Sequence, residues 1–298
     1  MGDDGDYAGF RSGPIEDSAE SDAVEALRAR LAMVPDAIAR WVRVARIQPK
    51  AGSQLALDDE IGWQGLSDGI YFHLNHAADA LNSLTVLIPP TGPLTMPLVA
   101  HYAVARSALE AASLALWILA PDDARLRVER HVRNAWREVC AEAEMNRVVI
   151  TVIEHDRLLG SDAMLDRVRK QNKAWKEKHV AQIRAAAHRI GFDDPTESNH
   201  YVGFAEIVRE ATVATDVRGA VGEIVWRQIS GLSHPSIMRS LRAMDHEEIV
   251  DHGDGTRSAL FTSNAGTAKD AVEAALLAFK TAVAIFGHRK VKPGDPAR

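Results

Sequence analysis

Residues 98–119 are the part of the sequence that most constrains how this chain folds. Small and apolar side chains recur through the segment at helical spacing, which predicts a helix with a broad apolar surface that other helices can approach closely. The segment stops at Pro121, which cannot continue a helix. The apolar positions are Val104, Ala108, Leu109, Ala111, Ala112, Ala115 and Leu116.

The rest of the chain carries the same helical signature. Ala, Leu, Arg and Glu are plentiful and aromatic residues make up only 6% of the chain, a composition that favours helices because these side chains lose little entropy in one. Periodic apolar residues and Pro or Gly breaks predict an all-α, multi-helix bundle of about seven to nine helices. The segments are residues 21–47 with a break or kink at Pro35, 58–87, 98–119, 124–159, 163–189, 202–210, 216–232, 235–243 and 266–287.

One stretch before the last helix has the pattern of β structure. Residues 248–252 and 256–262 flank Gly253-Asp254-Gly255, which is typical of a hairpin turn. The sequence therefore predicts a small β-hairpin at this point.

Composition also suggests the domain organisation. Residues 1–20 are rich in Gly, Asp, Ser and Glu, which predicts a disordered acidic tail, and the basic, Pro-containing residues 289–298 predict a frayed tail. We expect one helical domain, residues 21–288, between them.

The net charge, the cysteine count, the N-terminal residues and the length of apolar runs indicate the cellular compartment. The net charge of −6 provides no global attraction to nucleic acid or anionic membranes, and the single Cys140 excludes an internal disulfide framework. The acidic N-terminus lacks the basic region of a signal peptide, and no uninterrupted apolar run reaches the roughly 18 residues of a membrane span. These observations predict a cytoplasmic protein without membrane contact.

Arg227 and His234 form the first candidate site. In a continuous helix, seven steps of about 100° return to within about 20° of the start, so Arg227, Ser230 and His234 would share one stripe. A guanidinium can bind a phosphate and stabilise its transition state, and an imidazole can transfer a proton near neutral pH. Gln228 and Ser233 add hydrogen-bonding groups for a substrate. This chemistry needs no metal or other cofactor.

The spacing from Arg227 to His234, late in a helical chain, resembles the signature of HEPN-type proteins. These are small helical bundles, many of them metal-independent ribonucleases in toxin and phage-defence systems. Members commonly dimerise so that two motifs line one cleft. The resemblance implies Arg227 and His234 as catalytic residues, RNA as the substrate and a homodimer as the assembly.

Arg106 and Glu110 lie one turn apart on the apolar segment 98–119. Arg106-Ser107-Ala108-Leu109-Glu110, with Arg227, Ser230 and His234, resembles a bacterial helical family of uncharacterised function that is distantly similar to HEPN proteins. In a shared cleft, Arg106 would be a second phosphate contact and Glu110 would orient His234 or Arg227. The alternative interpretation is structural, with Arg106 and Glu110 forming a salt bridge, Arg227 another, and His234 capping a helix or packing.

Other patterns leave further alternatives open. Residues 166–189 contain eight basic and two acidic side chains, a local charge of +6, so this helix could face RNA or be a solvated surface anchored by Trp175. The set His73, His76 and His101 could belong to a metal-dependent bundle enzyme. A noncatalytic helical module that binds a protein or nucleotide partner is the main rival of the ribonuclease hypothesis.

Overall fold

The computed structural model describes residues 18–61, 65–94, 96–155, 161–196, 202–234, 236, 238–240, 244–253 and 257–292. This part of the chain is mostly helical, which confirms the prediction of an all-α bundle. Ten helices have defined bounds. They are α1 (Ser18–Ala32), α2 (Val34–Ala45), α3 (Gln54–Ile61), α4 (Leu66–Leu87), α5 (Ala100–Leu119), α6 (Ala124–His155), α7 (Asp162–Arg189), α8 (Phe204–Val213), α9 (Gly219–Leu232) and α10 (Ala265–Arg289).

Two predicted helices are each divided, so the described part of the chain has ten helices with defined bounds against the predicted seven to nine. Of the predicted helix 235–243, residues 235, 237 and 241–243 lie outside that part. Residues 21–47 form α1 and α2, because Pro35 sits in the first turn of α2, where its missing N–H costs nothing. Residues 58–87 form the end of α3 and all of α4, with residues 62–64 outside the described part. At the end of α7, Gly191 has a φ of 62°, as expected of a helix C-terminal glycine.

Two strands precede α10. Strand β1 (Asp245–Asp251) pairs antiparallel with β2 (Arg257–Thr262), from Asp245 opposite Thr262 to Asp251 opposite Arg257. The register shifts between Glu247 and Ile249. Residues 254–256, which include most of the predicted turn, lie outside the described part of the chain.

The chain divides into two compact units, a division that the prediction of one domain over residues 21–288 did not anticipate. Unit 1 contains Met1–Gln48, Tyr71–Ala120 and Phe204–His288, and unit 2 contains Pro49–Ile70, Pro121–Gly203 and Arg289–Arg298. The predicted tails also differ from the structure near their inner ends. Residues 18–20 belong to α1, and both Arg289 and Lys290 are buried.

Helix α5 fills the core of unit 1. It is buried along most of its length, and α8 and α9 both pack on it. The Trp117 indole of α5 donates a 2.8 Å hydrogen bond to Glu210 of α8. Helices α8 and α9 approach closely, since a Cβ atom at Gly222 would lie 2.0 Å from the Thr212 hydroxyl oxygen. Glycine is therefore required at this contact.

Two helices of the described part are long and apolar enough to cross a membrane, by length and composition alone. They are α5 and α10, and 67% and 50% of their most apolar windows are buried within the protein. The sequence count of uninterrupted apolar runs did not identify them, because polar residues interrupt both. A buried core helix meets the same criterion, so the cytoplasmic location stays a prediction.

Unit 2 contains a buried ion pair between α3 and α6. The Arg127 guanidinium donates to both carboxylate oxygens of Asp58, at 2.6 and 2.9 Å, and its Nη1 also donates to the carbonyls of Pro121 and Asp122. Burial raises the pKa of the Asp58 carboxyl, and the hydrogen bonds and charge of Arg127 oppose that rise. Arg289 donates to the Pro121 carbonyl as well and completes the network.

We expect Asp58→Asn to lower the free energy of unfolding by about 3–5 kcal/mol, because it leaves the Arg127 guanidinium buried without a counter-charge. Urea unfolding followed by circular dichroism measures the change. The control is Glu144→Gln, which removes the partner of the exposed Arg147 on the same helix. This control should leave the unfolding midpoint unchanged, and an equally small effect of Asp58→Asn would contradict the assigned role of the buried pair.

A second expectation concerns His101, which is buried on α5 with its Nε2 3.3 Å from the Ser263 hydroxyl. Burial lowers the pKa of His101 from 6.5 to about 4. Between these values the unfolded chain binds a proton that the folded protein does not, so stability falls as the pH decreases from 6.5 to about 4. His101 would contribute about 3 kcal/mol to this fall.

Unfolding free energies at neutral pH and near pH 4, for wild type and His101→Gln, test this expectation. The variant should lose less stability on acidification than the wild type, whatever its stability at neutral pH. Equal pH dependence in the two proteins would show that His101 is not the titrating group.

Candidate functional site

Four side chains from two parts of unit 1 meet at its surface, and we call them the Arg106 cluster: Arg106, Glu110, Trp226 and His234. Arg106 Nε and Trp226 Nε1 each donate a 2.8 Å hydrogen bond to the same Glu110 oxygen, Oε1. Arg106 Nη1 lies 3.2 Å from His234 Nε2. The guanidinium therefore connects a carboxylate to an imidazole.

Local backbone structure positions these side chains. Arg106 and Glu110 are one turn apart on α5, while Trp226 projects from α9. Helix α9 ends at Leu232, and the backbone N–H of Ser233 donates to the Ile229 carbonyl, so His234 is the first residue beyond the cap. A Cβ atom at Gly231 would lie 2.3 Å from Cδ of Arg239, so the glycine leaves room for the Arg239 side chain against α9.

The ion pair in the cluster is only partly shielded from solvent. The side chains of Arg106 and Glu110 are 26% and 17% exposed. The Arg106 Cζ atom lies 5.8 Å from the centroid of the Trp226 ring, within the range of a cation–π interaction. One hydrogen bond to Glu110 and the Trp226 ring hold the guanidinium in place, while part of it stays accessible to a ligand.

The contact between Arg106 and His234 restricts the role of one imidazole nitrogen. A guanidinium has only donors, so His234 Nε2 can take part in a hydrogen bond with Arg106 only as the acceptor. The His234 side chain is exposed. An anion that attracted the Arg106 N–H groups would free Nε2 to accept a proton.

Arg227 and His234 would share one stripe only in a continuous helix, and the sequence already indicates a break at Ser233. The helix ends between them, at Leu232, and the Arg227 side chain turns back to Glu223 at 2.7 Å. Arg227 is 62% exposed, and its hydrogen bond lowers the pKa of Glu223. The arginine that contacts His234 is Arg106. Glu110 bonds to Arg106 and Trp226 rather than to His234, which corrects its predicted orienting role.

The three predicted substrate-binding residues have other surroundings. Gln228 Nε2 donates to the Thr267 hydroxyl of α10 at 3.0 Å, and the Ser233 hydroxyl donates to the Ile229 carbonyl at 2.7 Å. Ser230 is half-buried on α9. The Gln228 and Ser233 bonds stabilise the end of α9 and its contact with α10.

Sequence reasoning did not find Trp226, nor the pairing of His76 with Ser107. His76 Nε2 on α4 is 2.7 Å from the Ser107 hydroxyl on α5. No local sequence spacing relates Trp226 to its partner or His76 to Ser107, because the partners are far apart in the chain. The position of Trp226 directly before Arg227 was the one available signal, and a single aromatic residue beside a motif is a weak one.

The metal-site alternative required His73, His76 and His101 to converge. His73 is buried against Phe72, His76 bonds to Ser107, and His101 lies beside Ser263. Among the residues that the structure describes, no three His, Cys, Asp or Glu side chains come together as metal ligands.

Helix α7 of unit 2 carries the basic stretch. Trp175 is half-buried and its ring lies 4.4 Å from that of His179. These contacts are consistent with the anchored, solvated helix, and the RNA-facing interpretation stays a prediction. The exposed basic side chains are Arg167, Arg169, Lys170, Lys173, Lys176, Lys178, Arg184 and Arg189.

No family model, curated protein or solved structure matches the chain. Its function is therefore inferred from the chemistry of the Arg106 cluster.

A double-mutant cycle tests how the cluster is held together. Removing the Trp226 indole N–H with Trp226→Phe and the Glu110 charge with Glu110→Gln should give a coupling energy of about 1 kcal/mol in unfolding experiments, because the first change removes and the second weakens the same charge-assisted hydrogen bond. The control cycle pairs Glu110→Gln with Gln228→Ala, since Gln228 bonds to Thr267 instead. Coupling that is no larger for Trp226 than for Gln228 would refute the bond.

Proposed function

We propose that this protein is a HEPN-like, metal-independent ribonuclease in which Arg106 binds the scissile phosphate and His234 transfers a proton. The observation that carries the proposal is the 3.2 Å contact between Arg106 Nη1 and His234 Nε2. Arg106 takes the phosphate-binding role that the sequence assigned to Arg227, because Arg106 is the arginine beside the imidazole.

The Arg106 guanidinium is suited to binding a phosphate. Its Nε–H is used by Glu110 and one Nη1–H by His234. Within the described residues, this leaves both Nη2 hydrogens and the second Nη1 hydrogen for two parallel bonds to phosphate oxygens. Such bonds strengthen as charge accumulates on the phosphate in the transition state.

His234 is suited to the proton transfer. Its neutral Nε2 can take the proton of a ribose 2′-hydroxyl once the phosphate replaces it as the partner of Arg106. The 2′-oxygen then attacks phosphorus and the phosphorus–O5′ bond breaks, which forms a 2′,3′-cyclic phosphate. The departing 5′-oxygen takes a proton from a second donor, in the simplest case solvent water, and leaves as a hydroxyl. Glu110 and Trp226 are positioning residues, because they hold the guanidinium that orients the phosphate.

A second candidate function is a noncatalytic module that binds a protein partner. It is favoured by exposed apolar side chains on and near α9: Val221, Ile224 and Met238 are 48%, 63% and 72% exposed. A second copy of this chain is one such partner, in keeping with the homodimer that the HEPN resemblance implies. The ribonuclease proposal includes a cytoplasmic role in toxin or phage defence.

RNA cleavage in EDTA, with a single-stranded RNA of mixed sequence, tests the ribonuclease. We expect His234→Ala to slow cleavage by about 10²–10⁴-fold through loss of proton transfer. Arg106→Ala should slow it by about 10²–10³-fold through loss of charge stabilisation. Arg227→Ala is the matched arginine control, and its rate should stay within about 10-fold of wild type, because it loses only an exposed ion pair.

Circular dichroism melts would show whether the variants fold equally. A large effect of Arg227→Ala with none of Arg106→Ala would return the phosphate-binding role to Arg227. If folded wild type cuts none of several RNAs, the catalytic proposal is wrong and the binding module is favoured.

A further inference from the structure

The solvent side of α5 forms a narrow strip between two histidines. With about 100° per residue, Ala103, Arg106, Ser107 and Glu110 fall within one arc of about 100° on the helix. Ala103 is exposed and the other three are partly exposed, whereas most of the helix is buried. Arg106 lies at one edge of this arc and Ser107 at the other. We call these four residues the α5 strip.

Each edge of the α5 strip holds an imidazole. At the first edge, Arg106 Nη1 contacts His234 Nε2 at 3.2 Å, and at the other, the Ser107 hydroxyl contacts His76 Nε2 at 2.7 Å. The Cα atoms of two consecutive residues are about 3.8 Å apart. The two imidazoles therefore contact side chains of two consecutive residues of α5.

We propose that His76 is the second proton-transfer residue of the site, acting as the general acid while His234 acts as the general base. This inference rests on the proposed ribonuclease function. Cleavage by a 2′-hydroxyl needs one group to remove a proton and another to supply one, and a single histidine can do only one of these in the same step.

The hydrogen bonds favour this assignment of roles. At the contact with the Arg106 guanidinium, which has only donors, His234 Nε2 can only be the acceptor, and an accepting nitrogen is what a base needs. Ser107 can accept a hydrogen bond through its hydroxyl oxygen, so it can hold a protonated His76 Nε2–H toward the strip. A phosphate bound by Arg106 would lie beside His234, and His76 would approach it from the Ser107 edge of the α5 strip.

The cleavage step balances with these two groups. His234 Nε2 takes the 2′-hydroxyl proton, the 2′-oxygen forms a bond to phosphorus, and the phosphorus–O5′ bond breaks. His76 gives its Nε2 proton to the departing O5′. The products are a 2′,3′-cyclic phosphate and a free 5′-hydroxyl, and the two histidines have exchanged protonation states.

Charged groups near His76 come from both helices. On α4, His73 lies one turn before it and Asp79 about one turn after it, and on α5 the nearest charged residues are Arg106 and Glu110. The acid role is therefore tested by changing the leaving group, which does not require a pH profile to be assigned to one residue.

The experiment compares two oligonucleotides of one sequence in EDTA. The first is ordinary RNA, and the second has sulfur in place of the scissile 5′-oxygen, so that a thiolate leaves without needing a proton. We expect His76→Ala to slow cleavage of ordinary RNA by about 10²–10⁴-fold but to slow cleavage of the thio-substituted RNA by less than about 10-fold. His234→Ala should slow both equally, because the base is needed for either leaving group.

Two further variants complete the design. His76→Gln retains a hydrogen-bonding side chain but no titratable group, and should behave as His76→Ala does. His288→Ala removes an exposed histidine of α10 in the same unit and should cleave both substrates at the wild-type rate.

Equal slowing of both substrates by His76→Ala, or no slowing of either, would overturn the acid role of His76 while leaving the ribonuclease intact. If wild type cleaves neither substrate, the proposed function itself fails and this inference fails with it. The selective loss on ordinary RNA alone supports it.

Discussion

Close packing of α8 and α9 around α5 is the constraint on which the rest of unit 1 depends. The small side chains of α5 and the glycine at position 222 let these helix backbones approach one another. Because of this approach, the Trp226 indole on α9 reaches Glu110 on α5, and the chain beyond α9 brings His234 to Arg106. The apolar core thereby determines where the polar cluster forms.

The Arg127–Asp58 ion pair and the Arg106–Glu110 ion pair differ in their surroundings. Arg127 and Asp58 in unit 2 are almost fully buried, and backbone carbonyls satisfy the remaining Arg127 donors. Such a pair is enclosed and serves structure. Arg106 and Glu110 are partly exposed, and the guanidinium retains N–H groups for another partner. The Arg106–Glu110 pair is therefore the one suited to binding an anion.

The position of Glu110 explains why a charged residue is tolerated on the most apolar helix. Its carboxylate accepts from a guanidinium and from an indole, so its charge is compensated where solvent is partly excluded. The same bonds restrict the rotamers of Arg106 and Trp226. A guanidinium held in this way beside an imidazole needs little rearrangement to meet a phosphate, which is the basis of electrostatic preorganisation.

Local sequence patterns determined most of the helices, because helix periodicity, Pro35, Pro121 and Gly191 act through neighbouring residues. They also marked Arg106, Glu110 and His234 as candidates. Only the tertiary structure decided which arginine meets His234. Helix α9 ends at Leu232, where the sequence predicted a break, and Arg227 pairs with Glu223, while packing brings Arg106 to the imidazole. Contacts between residues over a hundred positions apart depend on how helices pack, and no local spacing records them.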